Sequence, residues 1–594
     1  MRKFSFVTRI SNRVKPFALS PSKGISNRAS TGSARTVFFA GLLLLLCTGF
    51  AAAADKLPGY AVASATPQAT AAGLEILAAG GNAFDAAVAV SAALAVTEST
   101  GSGLGGGGFW LLHRGSDGFE TFVDGREVAP QAASARMYQD ASGKAVANLS
   151  RNGPLAAGIP GEPAALDWIA RRYGKLTLAQ DLAPAIKLAF DGFVVSPKLA
   201  RALAEQKERL SPSAQAVLYK DGRIPLAGEV LRQPELAATL QRLADQGRAG
   251  FYQGPTAEAL VAGVHAAGGI WTAEDLRRYE VVERKPLVSW FRDNRIISAP
   301  LPSAGGITLA ETFHQLEILG YGGGSGAIPV HQVVEAWRRA YRDRAAYLGD
   351  ADFVEVPVER LLSRAYAEKL VAGIQLEHAT PSSALPPARA VSEGPHTTHF
   401  SILDAQGNRV ATTMSVNLPF GSGYMAPGTG VLLNDEMDDF AASVTASNAY
   451  GLIGSRANLV APGKRPLSSM SPTFVEGPHG LLLIGTPGGS RIITMVALGI
   501  LGWSEGLNAQ QIVDLPRYHH QYLPDRIQFE PGAFGDGEQA ALKKMGYTLE
   551  PLTHTYGNMQ VVTWDPKTRQ LQAASDPRAE GLAQVVVAPV AAAK

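Results

Sequence analysis

At residue 396 the sequence changes periodicity, and that change limits the fold more than any other feature of the chain. Ahead of it, residues 160–280 are rich in Ala and Leu at helical spacing, and Val330 to Leu348 reads as one amphipathic helix. Arg338, Arg339, Arg342 and Arg344 on that helix read as a solvated or ion-paired face. Thr66 to Ala79 and Ala83 to Val96 are two further helices, separated by Gly80-Gly81-Asn82. A Pro/Ala/Ser-rich stretch, 378–396, reads as a linker. Beyond it the pattern alternates. Thr398 to Asp404 and Arg409 to Val416 make a β-hairpin, Phe474 to Gly485 a second, and Val561 to Ala574 a third. Helical regions followed by hairpins, with no repeat of 20–50 residues, point to antiparallel sheet packed with helices.

Charge divides the chain differently. Residues 1–54 hold eight of the 54 basic residues and none of the 52 acidic ones. An apolar run from Val37 to Phe50 and then Ala51 to Ala54 complete the pattern of a cleaved secretory signal. The run is shorter than the ~20 residues a spanning helix needs. Without it, 46 basic residues face 52 acidic ones, a formal charge of −6. That excludes an electrostatic footprint for nucleic acid. The chain therefore reads as an exported protein, periplasmic or secreted, with no membrane association once the signal is gone. Its one cysteine, Cys47, lies in the signal, so no disulfide framework or cysteine-ligated metal is available.

Several common sites are missing. There is no G-x-S-x-G elbow, Walker A loop, H-E-x-x-H or EF-hand loop. The glycine run Gly101 to Gly108 follows a helix and precedes a strand, the reverse of a dinucleotide fingerprint. His519-His520 lacks a third metal ligand and reads as structural. No metal and no cofactor is called for.

The informative segment is Gly394-Pro395-His396-Thr397-Thr398-His399-Phe400, where the linker enters a strand at a threonine. Cutting the 396–397 bond would make Thr397 an N-terminal residue, its hydroxyl a nucleophile and its α-amine a nearby base. If Asp404 and Asn408 close a three-residue loop, Thr397 lies opposite Ser415, with Asn417 two residues on along the same face. A two-residue loop would place Val416 there instead. Thr486-Pro487-Gly488-Gly489-Ser490-Arg491 sits between a strand and a helix expected from Ile492 to Leu501. Its glycines leave N–H groups free for an oxyanion, and Ser490 suits the N-cap. Asn434 to Asp439 carries four carboxylates in six residues, suited to a metal, a substrate ammonium or a solvated turn.

Together these segments resemble the γ-glutamyltransferase family of N-terminal-nucleophile hydrolases. The match runs through Gly80-Gly81-Asn82-Ala83 with Asp85, the glycines at 103–108, Arg126-Glu127, Thr397-Thr398-His399, residues 434–439, Pro466 to Pro472, and Pro487 to Arg491. The resemblance implies an α+β fold, a four-layer αββα sandwich. It implies a precursor cut at His396/Thr397 into a large subunit, 55–396, and a small one, 397–594, interwoven as a heterodimer. Thr397 would attack the γ-glutamyl carbonyl of glutathione or related compounds, with Gly488 and Gly489 as oxyanion hole and Ser415 orienting the nucleophile. Family members usually have Thr where Ser415 stands; the hydroxyl is kept and the methyl lost. Arg126, aided by Ser468 and Ser469, would hold the substrate carboxylate, and Asn417, Glu436 and Asp439 its ammonium. The stretch 441–464, with Tyr450, matches a lid. The glutamyl group would pass to water or to an amino acid or dipeptide. The runner-up readings are a glutaryl or cephalosporin acylase of the same family and a non-catalytic homologue acting as a binding protein. A glutaryl group lacks the ammonium that Glu436 and Asp439 suit, and the complete site argues against the binding protein.

Overall fold

The computed structural model describes residues 57–144, 146–388, 396–441 and 456–587. The signal region, the segment up to Pro395 and Tyr450 of the lid lie outside them.

Two antiparallel sheets carry the fold. The first has seven strands in the order Leu582–Val587, Gly59–Ser64, His396–Leu403, Arg409–Asn417, Gly107–Arg114, Phe119–Gly125 and Val282–Arg284. The second has six: Gln570–Ser575, Gln560–Asp565, Gly480–Gly485, Thr473–Gly477, Asn294–Ser298 and Leu287–Phe291. Each sheet contains strands from both sides of residue 396.

Side-chain alternation in the first sheet builds the layers. Val62, Trp110, Leu112, Phe400 and Ile402 face a core shared with the helices between residues 67 and 266. Their neighbours Ala61, Ala63, Phe109, Leu111 and Leu403 face the other way, into a core shared with the second sheet. That core continues into Gly305–Ile318, Ala327–Tyr347 and Arg491–Ser504. The order is helices, sheet, sheet, helices, as the αββα expectation requires.

Local chemistry fixes the parts nearest the centre. Asn82 and Asp85 form a reciprocal capping box at the start of Ala83–Thr97, a helix buried along its whole length. Its small residues let it lie flat beneath the first sheet, where Ser91 accepts a hydrogen bond from the Trp110 indole at 3.2 Å. The glycine run after this helix passes close to the hairpin. A Cβ on Gly106 would sit 2.2 Å from the Ser415 carbonyl oxygen.

The arginines of Ala327–Tyr347 depart from the solvated-face expectation. Arg338, Arg339 and Arg344 are buried. Glu335, about one turn earlier on the same helix, pairs with Arg338 at 3.3 Å and with Arg339 at 2.6 Å. The ion-paired alternative was right, but the pairs lie inside the protein.

Candidate active site

The hairpin register places Thr397 directly opposite Ser415, with Arg409 opposite Leu403. Asp404 sets the turn: its carboxylate accepts from the backbone N–H of Gln406 and Asn408 and from the Asn408 amide. After Ser415 the ladder slips by one residue, so that Asn417 pairs with His396. The slip requires a positive φ of 76° at Asn417. Asn417 is held there by its side-chain N–H, which donates to the Asp435 carbonyl at 3.0 Å. The bulge turns the Ser415 hydroxyl toward the 396–397 bond. It donates to the His396 carbonyl oxygen at 3.3 Å and accepts the Asn417 N–H at 2.8 Å. Thr397 and Ser415 are both buried.

On one side of Thr397 lies a small cavity of about 10 Å3, lined in part by Arg126, Ser415, Asn417, Asp439 and Ser468. Arg126 follows the end of Phe119–Gly125. Its guanidinium donates to Glu436 at 2.7 Å and Asp439 at 2.6 Å, with Glu127 at 3.5 Å. Burial alone would lower the Arg126 pKa, but Glu436, Glu127 and Asp439 outweigh it and raise it. Glu127 is pushed well above the carboxylate range, first by burial and then by Glu436. The resemblance gives Arg126 and the two acids opposite substrate charges; here they bind one another. Ser468 lines the cavity and its hydroxyl accepts from the Met470 N–H, whereas the Ser469 hydroxyl accepts from Arg344 at 3.0 Å.

On the other side of Thr397 is a cavity of about 740 Å3, reached past Gly488. Gly488 and Gly489 have φ of 141° and 58°, backbone that a side chain would strain. The following helix begins at Arg491, earlier than expected. Ser490 does not cap it: its own backbone is helical, and its hydroxyl donates to the Gln521 side chain at 2.5 Å.

Two neighbours, Glu98 and His399, were given no role from the sequence, and His396 only that of the residue before the cut. Glu98, just before the glycine run, accepts from the Thr398 hydroxyl at 2.5 Å and pairs with Lys198 at 2.8 Å. His396 lines the large cavity, and burial, then Lys198 and Arg209, lower its pKa to about 4. His399 spans the two sheets beside Gly485, and burial lowers its pKa to about 3. The only sequence signal for Glu98 was an acid placed three residues before the first glycine of the run.

The histidine pair at 519–520 is held by hydrogen bonds. His519 contacts Thr494 and Gln521, and His520 contacts Asp525. Among the described residues one cluster, His113, Glu120 and Glu476, has the spacing of a cation site, but Arg295 pairs with both of its carboxylates.

Two facing sheets between helical layers, with a buried threonine at the head of a central strand, define the N-terminal-nucleophile hydrolase class. The chain belongs to the gamma-glutamyltranspeptidase family, whose sequence profile matches residues 69–586. It is 42% identical to a glutathione hydrolase proenzyme of Pseudomonas sp. (strain A14), over 81% of this chain and 85% of that one. It is 41% identical to the glutathione hydrolase proenzyme of Escherichia coli (strain K12), over 87% and 90%. Among solved structures, the cephalosporin acylase of Bacillus halodurans superposes with a TM-score of 0.78 at 28% identity, covering 89% of this chain and 96% of the acylase.

Proposed function

We propose that the chain is the precursor of a γ-glutamyltransferase and glutathione hydrolase, with Thr397 as its nucleophile. The observation that carries this reading is the charge set beside Thr397: one buried cation, Arg126, in direct contact with Glu436 and Asp439. A zwitterionic glutamyl head would enter by exchange. Its carboxylate takes Arg126, and its ammonium takes the two acids so released, with Asn417 and Ser468 as further partners. Each buried charge then keeps a counter-charge. A glutaryl group would also claim Arg126 but would bring no ammonium to Glu436 and Asp439 in exchange. That cost favours glutamyl over the acylase reading, despite the close fold of the bacterial acylase.

Processing comes first. The Thr397 hydroxyl attacks the His396 carbonyl carbon while Ser415 donates to that carbonyl's oxygen. The C–N bond breaks, the nitrogen takes the hydroxyl proton, and water hydrolyses the resulting ester to a His396 carboxylate. The subunits are then 55–396 and 397–594. In turnover the same hydroxyl attacks the γ-glutamyl carbonyl, with the freed α-amine as base. Gly488 and Gly489 N–H groups take the oxyanion, and the amine leaves with the proton. Water or the amine of an amino acid or dipeptide then releases the glutamyl group. The basic, apolar and small-residue sequence of residues 1–54 supports export and a periplasmic or secreted site. Among the described residues no helix is long and apolar enough to cross a membrane.

The test is to offer γ-glutamyl and glutaryl p-nitroanilides in parallel, with and without a dipeptide. Release from the glutamyl compound, accelerated by dipeptide, is expected. Preference for glutaryl would overturn the reading.

A further inference from the structure

The strand His396–Leu403 is held unequally at its start. On one side Arg409–Asn417 pairs with it along its whole length, Thr397 and Thr398 included. On the other, Gly59–Ser64 stops at Ser64, opposite Phe400, so among the described residues 397–399 have no strand partner there. What holds Thr398 instead comes from the helical layer. By alternation its side chain shares a face with Phe400 and Ile402, toward the helices. There it meets Glu98, whose side chain is 5% exposed. One carboxylate oxygen of Glu98 accepts from the Thr398 hydroxyl at 2.5 Å, the other from the Lys198 Nζ at 2.8 Å. The Glu98 carbonyl also accepts the N–H groups of Gly101 and Ser102, at 2.8 and 3.2 Å. That turn lays Gly101 against the nucleophile. A Cβ there would sit 3.0 Å from the Thr397 carbonyl oxygen and 3.5 Å from the Glu98 carboxyl carbon.

Helix stability does not explain the pair. Glu98 is the C-cap of Ala83–Thr97, where the negative end of the helix dipole disfavours an acid. Lys198 is the second residue of Pro197–Glu205, whose first turn holds no acid and whose positive end disfavours a cation. Each charge opposes the helix that carries it. Desolvating a carboxylate is also costly, and a buried pair repays the cost only when further hydrogen bonds satisfy it. The further bond of the Glu98 carboxylate is the one to Thr398. Lys198 is fixed in turn, its backbone N–H donating to Glu580 at 2.9 Å.

The cut at 396–397 changes what depends on this bond. In the uncut chain Thr397 is tethered through its nitrogen to His396, whose carbonyl oxygen takes the Ser415 hydroxyl. Afterwards Thr397 is a chain end, and chain ends are poorly ordered unless tied down. We propose that Glu98, itself fixed by Lys198, is a positioning residue for the mature nucleophile. It anchors Thr398 and so keeps the Thr397 hydroxyl and the new α-amine in register once the tether is gone. Glu98 acts through Thr398 and holds no part of the substrate. This role rests on Thr397 being the γ-glutamyl nucleophile.

The test uses four variants of the full chain. Thr398→Val keeps the shape and removes the hydroxyl, Thr398→Ser keeps the hydroxyl, Glu98→Gln removes the charge, and the fourth combines Glu98→Gln with Thr398→Val. Turnover of γ-glutamyl p-nitroanilide is divided by the small subunit formed, so that only folded, cut protein is counted. Thr398→Val should lower kcat by about tenfold or more, as expected when a reacting group is misplaced, with KM within about twofold of the wild type. Thr398→Ser should recover most of that loss. Glu98→Gln should lower kcat by a smaller factor, and the double variant should be no slower than Thr398→Val, because both changes act on one bond. A wild-type kcat in Thr398→Val, or a loss confined to KM, would overturn the inference and leave the glutamyl reading intact. So would a serine no better than valine, an additive double variant, or a Thr398→Val chain that stays uncut, which would assign the bond to the precursor. No turnover of the anilide by the wild type would overturn both.

Discussion

Arg126→Met is the perturbation that best separates stability from catalysis at this centre. The Arg126 side chain is 1% exposed, and those of Glu436 and Asp439 are 1% and 5% exposed. Removing the cation therefore strands two carboxylates away from water. Breaking a buried pair in this way costs about 3–5 kcal/mol, because the desolvated charge stays behind. Glu127 adds to the effect, since Arg126 is what opposes the upward push on its pKa. A carboxyl with a raised folded-state pKa contributes stability at low pH that is lost as pH rises through that value. The deficit of the variant should therefore shrink as pH is lowered. Adding Glu436→Gln and Asp439→Asn removes the stranded charges and should recover most of the lost stability. It should not recover γ-glutamyl turnover, because the substrate head then has no partners. Urea unfolding, with every variant on a Thr397→Ala background, keeps one chain throughout, and activity is read on the same substitutions with Thr397 restored. A single variant within about 1 kcal/mol of its parent, the range of an exposed pair, would refute the reasoning. So would a triple variant no more stable than the single.

Thr397→Ala is expected to give one uncut chain with no γ-glutamyl release, and two bands on a denaturing gel would sink the nucleophile assignment. Ser415→Ala, which removes the donor to the His396 carbonyl, should slow the appearance of the two subunits, and an unchanged time course would contradict that role. Gly485→Ala places a Cβ 2.2 Å from the His399 ring; over-packing of this kind costs about 1–3 kcal/mol, measurable by urea unfolding. His399 is buried with its pKa lowered to about 3, so its contribution is present above the unfolded value near 6.5 and is lost as pH falls toward 3. His399→Gln should flatten the stability–pH slope in that window by about 1.4 kcal/mol per pH unit, and an unaltered slope would show that the histidine is protonated in the fold.

What the sequence disclosed depended on how local the cause was. The Thr397–Ser415 register was readable because Asp404 and Asn408 form a turn whose bonds lie within four residues. The capping of Ala83–Thr97 was likewise written in Asn82 and Asp85. Ser490 was misread because its partner, Gln521, is 31 residues away and outcompetes the helix end. The buried state of Arg338 and Arg339 was hidden for a similar reason: Glu335 is close in sequence, but the segments that cover the helix are not. Arg126 and its acids are 310 and 313 residues apart. Only the resemblance to the γ-glutamyltransferase family brought them together beforehand, and it did not foresee that they would pair directly. Arg491 appeared within a motif, yet nothing local marked it as a cation that stacks on Tyr556 and bonds Gln528 rather than a carboxylate.

The position of His396–Leu403 in the first sheet explains why a cut there need not separate the halves. The strand is paired on one side with Gly59–Ser64, from the proposed large subunit, and on the other with Arg409–Asn417, from its own. Both sheets draw strands from both proposed subunits, so separation would break ladders in each and open the core between them. The proposed cut also lies at the edge of a regular ladder, where the bulge at Ser415 and Asn417 has already ended the pairing pattern. Only the start of the strand must adjust when the new amine forms; Thr398 onward is held by Arg409–Asn417 and Phe400 onward on both sides, and Thr398 itself is held by Glu98. A fold that carries its nucleophile on an inner strand can thus convert one chain into two without losing the geometry on which the second reaction depends.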